Sequence, residues 1–340
     1  MSRIRTPFTE LLGIDHPVAS AGMAGGAAGG ELAGAVSEAG GLGIIGASLL
    51  EPKRVEAEVR RARELTTKPI GVNLLLFGNE ALVDPVLELE PTVFSTAWPR
   101  DDQDLAAIFA RAHERGAKVM HMVTTLRDAV AAVEAGADVV VAQGTEGGGH
   151  VGEIGTTVLV RQVVKAVAPV PVLAAGGIAD GAGLAAALAL GADGILMGTR
   201  FIATHEAAFD HFDKEGLLAT GSEDTILTSV HDTFSGRDWP GAWSRGPRNR
   251  FVEEWLGREP ELRRRRAEAR ERLLAARERG DHDYWLMWLG QSAGLVDDVR
   301  SAGDVVQEIV IEAESVVRGL SRTLEPSATM DAASRGGAAR

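Results

Sequence analysis

Eight short apolar runs rich in β-branched residues alternate with helical segments rich in Ala, Leu, Glu and Arg before residue 201, and this alternation predicts an α/β protein. The runs are 16–23, 41–47, 69–76, 91–98, 118–123, 139–144, 171–177 and 194–200, and their starts lie 21 to 32 residues apart. A strand, a helix and two short loops occupy that spacing. Several runs, such as Val139-Val140-Val141-Ala142, are apolar without alternation, as in parallel strands buried on both faces. Eight units favour a closed (β/α)8 barrel of the TIM type over an open doubly wound sheet.

The elements follow in order. The segments 31–39 and 126–135 are amphipathic, and each is followed by a glycine that stops a helix. Residues 1–205 are therefore expected to form the barrel. After Phe201 the pattern changes. Residues 206–257 hold three of the six tryptophans and show little periodicity, and the run 230–241 reads as loop. We expect 206–290 to be a smaller, mostly helical insertion that caps the substrate side. Within it, 261–279 reads as one charged helix, with eight arginines and four glutamates on a solvated face. Residues 283–320 return to an apolar helical pattern, and helices in 291–320 are expected to pack on the barrel. The tail 321–340, rich in Ser, Ala, Gly and Arg, reads as disordered. A length of 340 residues suits one barrel with an insertion.

Composition narrows the function. Apolar residues make up 45% of the chain, enough for a large core. The net charge of −13 argues against nucleic acid as a partner, because phosphate binding needs a basic face. With no cysteine there can be no disulfide, thiolate metal site, iron–sulfur cluster or cysteinyl nucleophile. The longest apolar candidate, 184–197, is interrupted by Gly191, Asp193 and Gly194, so no membrane span is expected. The N-terminus lacks an apolar signal core, and a cytoplasmic location is the expectation. The histidines show no metal-ligand spacing. The G-x-G-x-x-G match at Gly41–Gly46 follows a helix and is itself strand-like, the wrong context for a dinucleotide loop.

In such a barrel the site lies at the C-terminal ends of the strands. After the sixth run comes Gln143-Gly144-Thr145-Glu146-Gly147-Gly148-Gly149-His150. Consecutive glycines can expose backbone N–H groups to an anion and let the chain approach a flat ligand. A neutral imidazole at His150 can take a proton near pH 7. After runs seven and eight come Ala174-Ala175-Gly176-Gly177-Ile178 and Met197-Gly198-Thr199-Arg200, where barrels often bind phosphate. Asn73, inside an apolar run, offers the donor and acceptor that match a flavin or nucleobase edge. Met23 ends the first run, as core filler or as a contact to a ring system. His121, ending the fifth run, either lines the pocket or is structural.

These motifs resemble the nitronate monooxygenase family, formerly the 2-nitropropane dioxygenases. The likeness rests on His16-Pro17 through Ala21-Gly22-Met23, on Gly71-Val72-Asn73, on Gln143 through His150, on Ala174 through Ile178, and on Met197-Gly198-Thr199. It covers 6–205, weakens across 206–290 and returns at 288–295. The resemblance implies FMN held non-covalently by Ala21, Gly22, Met23, Asn73, Gln143, Gly148, Gly177, Leu196, Met197, Gly198 and Thr199, with no metal. His150 matches the family's base. The implied reaction is oxidation of an alkyl nitronate or nitroalkane by O2 to a carbonyl compound and nitrite. NADH:quinone reductases and FMN-type enoyl-thioester reductases share the glycine-rich loop and histidine, which leaves an NAD(P)H-dependent reductase as the alternative. Two positions depart from the family pattern: Ala21-Gly22 stands where many members have proline before the methionine, and Met122 stands where some quinone-reductase relatives carry lysine. The insertion, with Trp239, Trp243 and Trp255, is expected to shape the substrate pocket. A homodimer is the oligomeric expectation, from the apolar C-terminal helices.

Overall fold

The computed structural model describes residues 4–237, 239 and 242–323. In chain order the strands are β1 (Val18–Ser20), β2 (Gly43–Gly46), β3 (Ile70–Leu75), β4 (Val93–Ala97), β5 (Lys118–Val123) and β6 (Val139–Gln143). They continue as β7 (Gly149–Val151), β8 (Val172–Ala175), β9 (Gly194–Met197), β10 (Thr225–Thr228) and β11 (Trp243–Pro247). Each of the eight runs read from the sequence contains one strand of an eight-stranded parallel sheet, ordered β1-β9-β8-β6-β5-β4-β3-β2. Its two edges meet. Ala19 bridges Leu42, the Ser20 N–H donates to the Leu42 carbonyl at 3.0 Å, and the Leu42 N–H donates to Val18 at 2.9 Å. The sheet is a closed barrel.

Two apolar layers hold it. Inside the barrel, Ala19, Ile44, Val93, Met120, Val141, Leu173 and Leu196 pack together. The helix Pro7–Leu12 plugs the lower end with Phe8 and Leu12. Outside, strand residues such as Val72, Phe94, Val140 and Ile195 pack on the helices. The helices at 31–39 and 126–135 are present as Gly30–Glu38 and Leu126–Glu134. Gly40 and Gly136 follow them at φ 97° and 102°, a backbone region that favours glycine. The G-x-G-x-x-G match has a packing cause. A Cβ on Gly43 would lie 1.8 Å from the Ala33 carbonyl, and one on Gly46 would lie 2.0 Å from the Met23 carbonyl.

The eighth unit is split. β9 and the short turn Thr199–Ile202 lead out of the barrel, and the chain returns only at Arg300, which bridges Thr204. The helix Ala302–Ser321 then completes the helical ring between Gly30–Glu38 and Gly181–Ala189. So 1–205 supplies all eight strands, and the last helix of the ring lies beyond the excursion. The fit is close: a Cβ on Gly181 would lie 2.4 Å from the Ile309 carbonyl.

Three expectations for the C-terminal part are corrected. The run 230–241 is not all loop, because Val230–Ser235 is a helix ended by Gly236 at φ 75°. The charged stretch forms two helices, Glu259–Arg264 and Arg266–Glu278. Its arginines are anchored as well as solvated. Arg272 pairs with Glu254 at 2.6 Å, and Arg277 pairs with Asp213 at 2.9 Å. Only Ala302–Ser321 is a long helix in 283–320, preceded by 3-10 turns at His282–Tyr284 and Gln291–Leu295. The tail expected to be disordered lies, beyond Thr323, outside the described residues. No described helix is long and apolar enough to cross a membrane.

Candidate active site

The loop after β6 turns back on itself as β7 and becomes the edge of a three-stranded antiparallel sheet, β10-β11-β7. His150 stands directly opposite Ser244 in that sheet, and Gly149 stands opposite Arg245. The histidine is therefore held on a strand, at the barrel mouth, by the excursion.

Its ring is engaged on an edge and on a face. Nε2 lies 2.8 Å from Asp232 Oδ1, and the Ser244 hydroxyl donates to Asp232 Oδ2 at 2.8 Å. Both side chains of the pair are nearly buried, His150 at 11% and Asp232 at 10% exposure. Trp239 stacks flat on the imidazole, with centroids 3.6 Å apart and planes 8° apart. Phe77 and Trp98 flank that indole at 5.2 and 6.2 Å. These two residues follow β3 and β4, so the wall joins barrel loops to the excursion. Trp98 has φ 52°, a costly conformation for a bulky residue, and the Phe77 N–H donating to its carbonyl at 2.9 Å helps hold it. Next to Asp232, His231 is fully buried, and burial pushes its imidazole down to about 4.

The residues expected around the cofactor form a chain around the mouth. A Cβ on Gly22 would lie 2.3 Å from that of Asn73, joining the first and third loops. Asn73 Nδ2 donates to Ser95 Oγ at 3.0 Å. A Cβ on Gly198 would lie 3.6 Å from Ala21 Cβ and 3.9 Å from the Met23 sulfur, joining the eighth loop to the first. Thr199 Oγ1 accepts from the Gly290 N–H at 3.0 Å, which leaves its own proton to donate. Gly290 in turn packs on Gly148, and Gly177, at φ 73°, packs on Glu146. Glu146 spends its carboxylate on the N–H and hydroxyl of Thr156, at 2.9 and 2.8 Å. Gln143 is buried, its Nε2 reaches the Gly148 carbonyl only at 3.5 Å, and its Oε1 has no partner.

The structure modifies several expectations. Cβ atoms on Gly147 and Gly148 would meet Gln143 and Leu289-Gly290, because the returning chain packs on them, and only Gly149 is open. Leu196 packs in the barrel interior and Met197 in the outer layer. His121 is structural. It is fully buried beside Phe109, its Nδ1 lies 2.7 Å from Thr96 Oγ1, and burial pushes it down to about 4. Met122 packs against the barrel interior. Of the three named tryptophans, Trp255 is in the excursion's own core, Trp243 is exposed, and Trp239 reaches His150. Asp232, Ser244, Phe77 and Trp98 were not anticipated. The signals available were the His231-Asp232 pair and two aromatics just past strand ends.

The β/α barrel, the imidazole–carboxylate pair at its mouth and the oxidoreductases it resembles place the chain among the barrel oxidoreductases. A family model described as nitronate monooxygenase matches residues 5–90 and 78–312, and the chain belongs to that family. It is 32% identical over 359 residues to a (3aS,4S,5R,7aS)-5-hydroxy-7a-methyl-1-oxo-octahydro-1H-indene-4-carboxyl-CoA dehydrogenase of Mycobacterium tuberculosis, covering 95% of this chain and 100% of the relative. Among solved structures, FabK of Thermotoga maritima superposes with TM-score 0.82 at 35% identity, covering 94% of this chain and 100% of that one. A nitroalkane oxidase of Streptomyces ansochromogenes superposes with TM-score 0.76 at 30% identity, covering 92% and 99%.

Proposed function

We propose that the chain is an FMN-dependent nitronate monooxygenase, oxidising alkyl nitronates or nitroalkanes with O2 to carbonyl compounds and nitrite, with His150 as the base. The observation that carries this reading is the nearly buried His150, bonded to a carboxylate beside an aromatic wall, on the loop whose buried Gln143 oxygen lacks a donor.

The residues fit a flavin. Gln143 Oε1 can accept from a ring N–H, and the Asn73 carboxamide borders the same mouth. Backbone N–H groups at Gly177 and Gly198 and the Thr199 hydroxyl are suited to the phosphate. Gly22 and Met23 supply backbone and thioether on the side of the first loop. When bound, the flavin supplies the redox chemistry, and the protein supplies position and the base. A nitroalkane arrives with its α-proton. His150 takes that proton, the electron pair stays on the carbon and nitro group, and the nitronate results. Phe77, Trp98 and Trp239 exclude water and favour an apolar substrate chain.

In this reading 206–290 is the substrate-side cap on a cofactor barrel formed by 1–205 and completed from 291–320. Its partners are small molecules and O2, with a cytoplasmic homodimer as the working form. FMN-loaded protein should consume O2 and release nitrite from propyl nitronate without NADH, and no turnover in that assay would overturn the reading. One relative carries a second reading. A carboxyl-CoA dehydrogenase aligned along 95% of the chain favours an NAD(P)H-linked reaction on an acyl thioester. Rapid anaerobic bleaching of the flavin by NADH or NADPH would select it.

A further inference from the structure

We propose that Asp232 is the positioning residue that selects the basic nitrogen of His150, an inference that rests on His150 being the base. The two residues are 82 positions apart, and the excursion brings them to 2.8 Å. An ionised carboxylate only accepts hydrogen bonds. The proton of the neutral imidazole therefore sits on Nε2 and is donated to Oδ1, and the lone pair is on Nδ1. Nδ1 is the atom that takes the substrate's proton. In that step a carbon–hydrogen bond breaks, an Nδ1–H bond forms, and the electron pair remains on the substrate. The imidazolium formed is stabilised by the adjacent carboxylate.

Ser244 fixes the carboxylate itself. Its hydroxyl donates to Oδ2, and its place opposite His150 in the β7–β11 ladder sets the spacing of all three groups. Several other charged and titratable groups near the pair are engaged elsewhere, and Arg266 packs on Gly236 at the end of the helix that carries Asp232. His231, on the same helix as Asp232, is held neutral by burial. Arg245 is turned to the Thr145 carbonyl and the Thr225 hydroxyl, Glu153 accepts from the Trp243 indole, and Glu259 accepts from Ser229. The carboxylate of Asp232 is thus the group that sets the imidazole's tautomer.

Asp232→Asn gives the test a direction. Where Ser244 keeps the donor role it has in the wild type, the carboxamide oxygen turns towards it and the NH2 faces His150. Nε2 must then accept, the ring proton moves to Nδ1, and the base is blocked. With FMN-loaded protein we expect kcat/KM for a neutral nitroalkane to fall on the order of 10²–10⁴-fold, the usual contribution of a positioned base. The loss for the corresponding nitronate, which carries no α-proton to remove, should be at least about tenfold smaller. Adding Ser244→Ala to Asp232→Asn frees the amide to flip its oxygen towards Nε2 and should restore part of the nitroalkane activity.

Nitrogen-15 NMR of histidine-labelled protein reads the tautomer directly and needs no turnover. We expect Nε2 protonated in the wild type and Nδ1 protonated in Asp232→Asn. Nδ1 protonation in the wild type, or equal losses on nitroalkane and nitronate, would overturn the assignment. If the wild type turns over neither compound, the substrate reading fails, and the NMR comparison alone decides the role of Asp232.

Discussion

Replacing Gln143 by leucine should move stability and cofactor affinity in opposite directions. In the ligand-free protein Gln143 Oε1 is buried without a partner, and Nε2 reaches the Gly148 carbonyl only at 3.5 Å, the limit of a hydrogen bond. An unmatched buried polar atom costs about 1–3 kcal/mol, and a bond that long returns little of it. Leucine has a similar volume and no polar atoms. The apoprotein should therefore be equally stable or more stable, its melting midpoint rising by roughly 1–2 °C per kcal/mol relieved for a chain of this size. The same leucine removes the acceptor proposed for the flavin ring. A ligand N–H left unpaired in the site loses about 1–3 kcal/mol of binding, which weakens FMN roughly 5- to 150-fold. Thermal unfolding of the stripped protein and fluorescence titration with FMN measure the two halves separately. A variant that loses apoprotein stability and binds FMN as tightly as the wild type would refute the placement of Gln143 at the cofactor.

Other residues give sharper signs. His231 titrates near 6.5 when unfolded but about 4 when buried, so the unfolded chain binds its proton first as the pH falls. Stability present above pH 6.5 should be lost between there and pH 4, by about 3 kcal/mol, and urea unfolding of His231→Leu should show roughly one proton less uptake across that window. Gly181→Ala places a methyl against the Ile309 carbonyl at 2.4 Å and should cost about 1–3 kcal/mol by lifting the last helix, read as a lower urea midpoint with unchanged slope. Trp239→Leu removes the ring stacked on His150 and should raise KM for apolar substrates roughly 2- to 12-fold with a smaller change in kcat, the size expected for one lost aromatic contact. An unchanged KM would remove Trp239 from the substrate wall.

The barrel was legible because its signals are local. A strand buried on both faces needs an unbroken apolar run, and the 21- to 32-residue repeat is the length of one unit, so all eight strands could be placed. Glycines at strand ends were legible as positions, but not as to purpose. Gly148 and Gly22 accept neighbouring chain, and only the fold shows that a Cβ there would meet Leu289 or Asn73. The helix Val230–Ser235 was missed because six mostly polar or β-branched residues carry too short a period to register. The pairing of His150 with Asp232 was out of reach for a different reason. It depends on β11 of the excursion finding β7, and no spacing in the sequence encodes that register.

That excursion explains how one barrel can carry related but distinct chemistries. It leaves at Thr204 and returns at Arg300, two residues paired side by side, so its length and content can change without moving a barrel strand. Yet it is not a passive lid. β11 supplies the ladder that holds His150, Ser244 lies opposite it, Val230–Ser235 brings Asp232, and the chain near residue 290 closes over Gly148 and Thr199. The barrel contributes the mouth, the loop that carries the histidine, and Phe77 and Trp98 of the aromatic wall, and the excursion contributes Trp239 and the contacts that orient the histidine. Under the proposed function, a change in the excursion acts on the base and on the substrate space together. A family sharing the barrel includes relatives named for a nitroalkane or a CoA thioester, and under the function proposed for this chain Asp232 and Trp239 around His150 are where substrate choice and proton transfer meet.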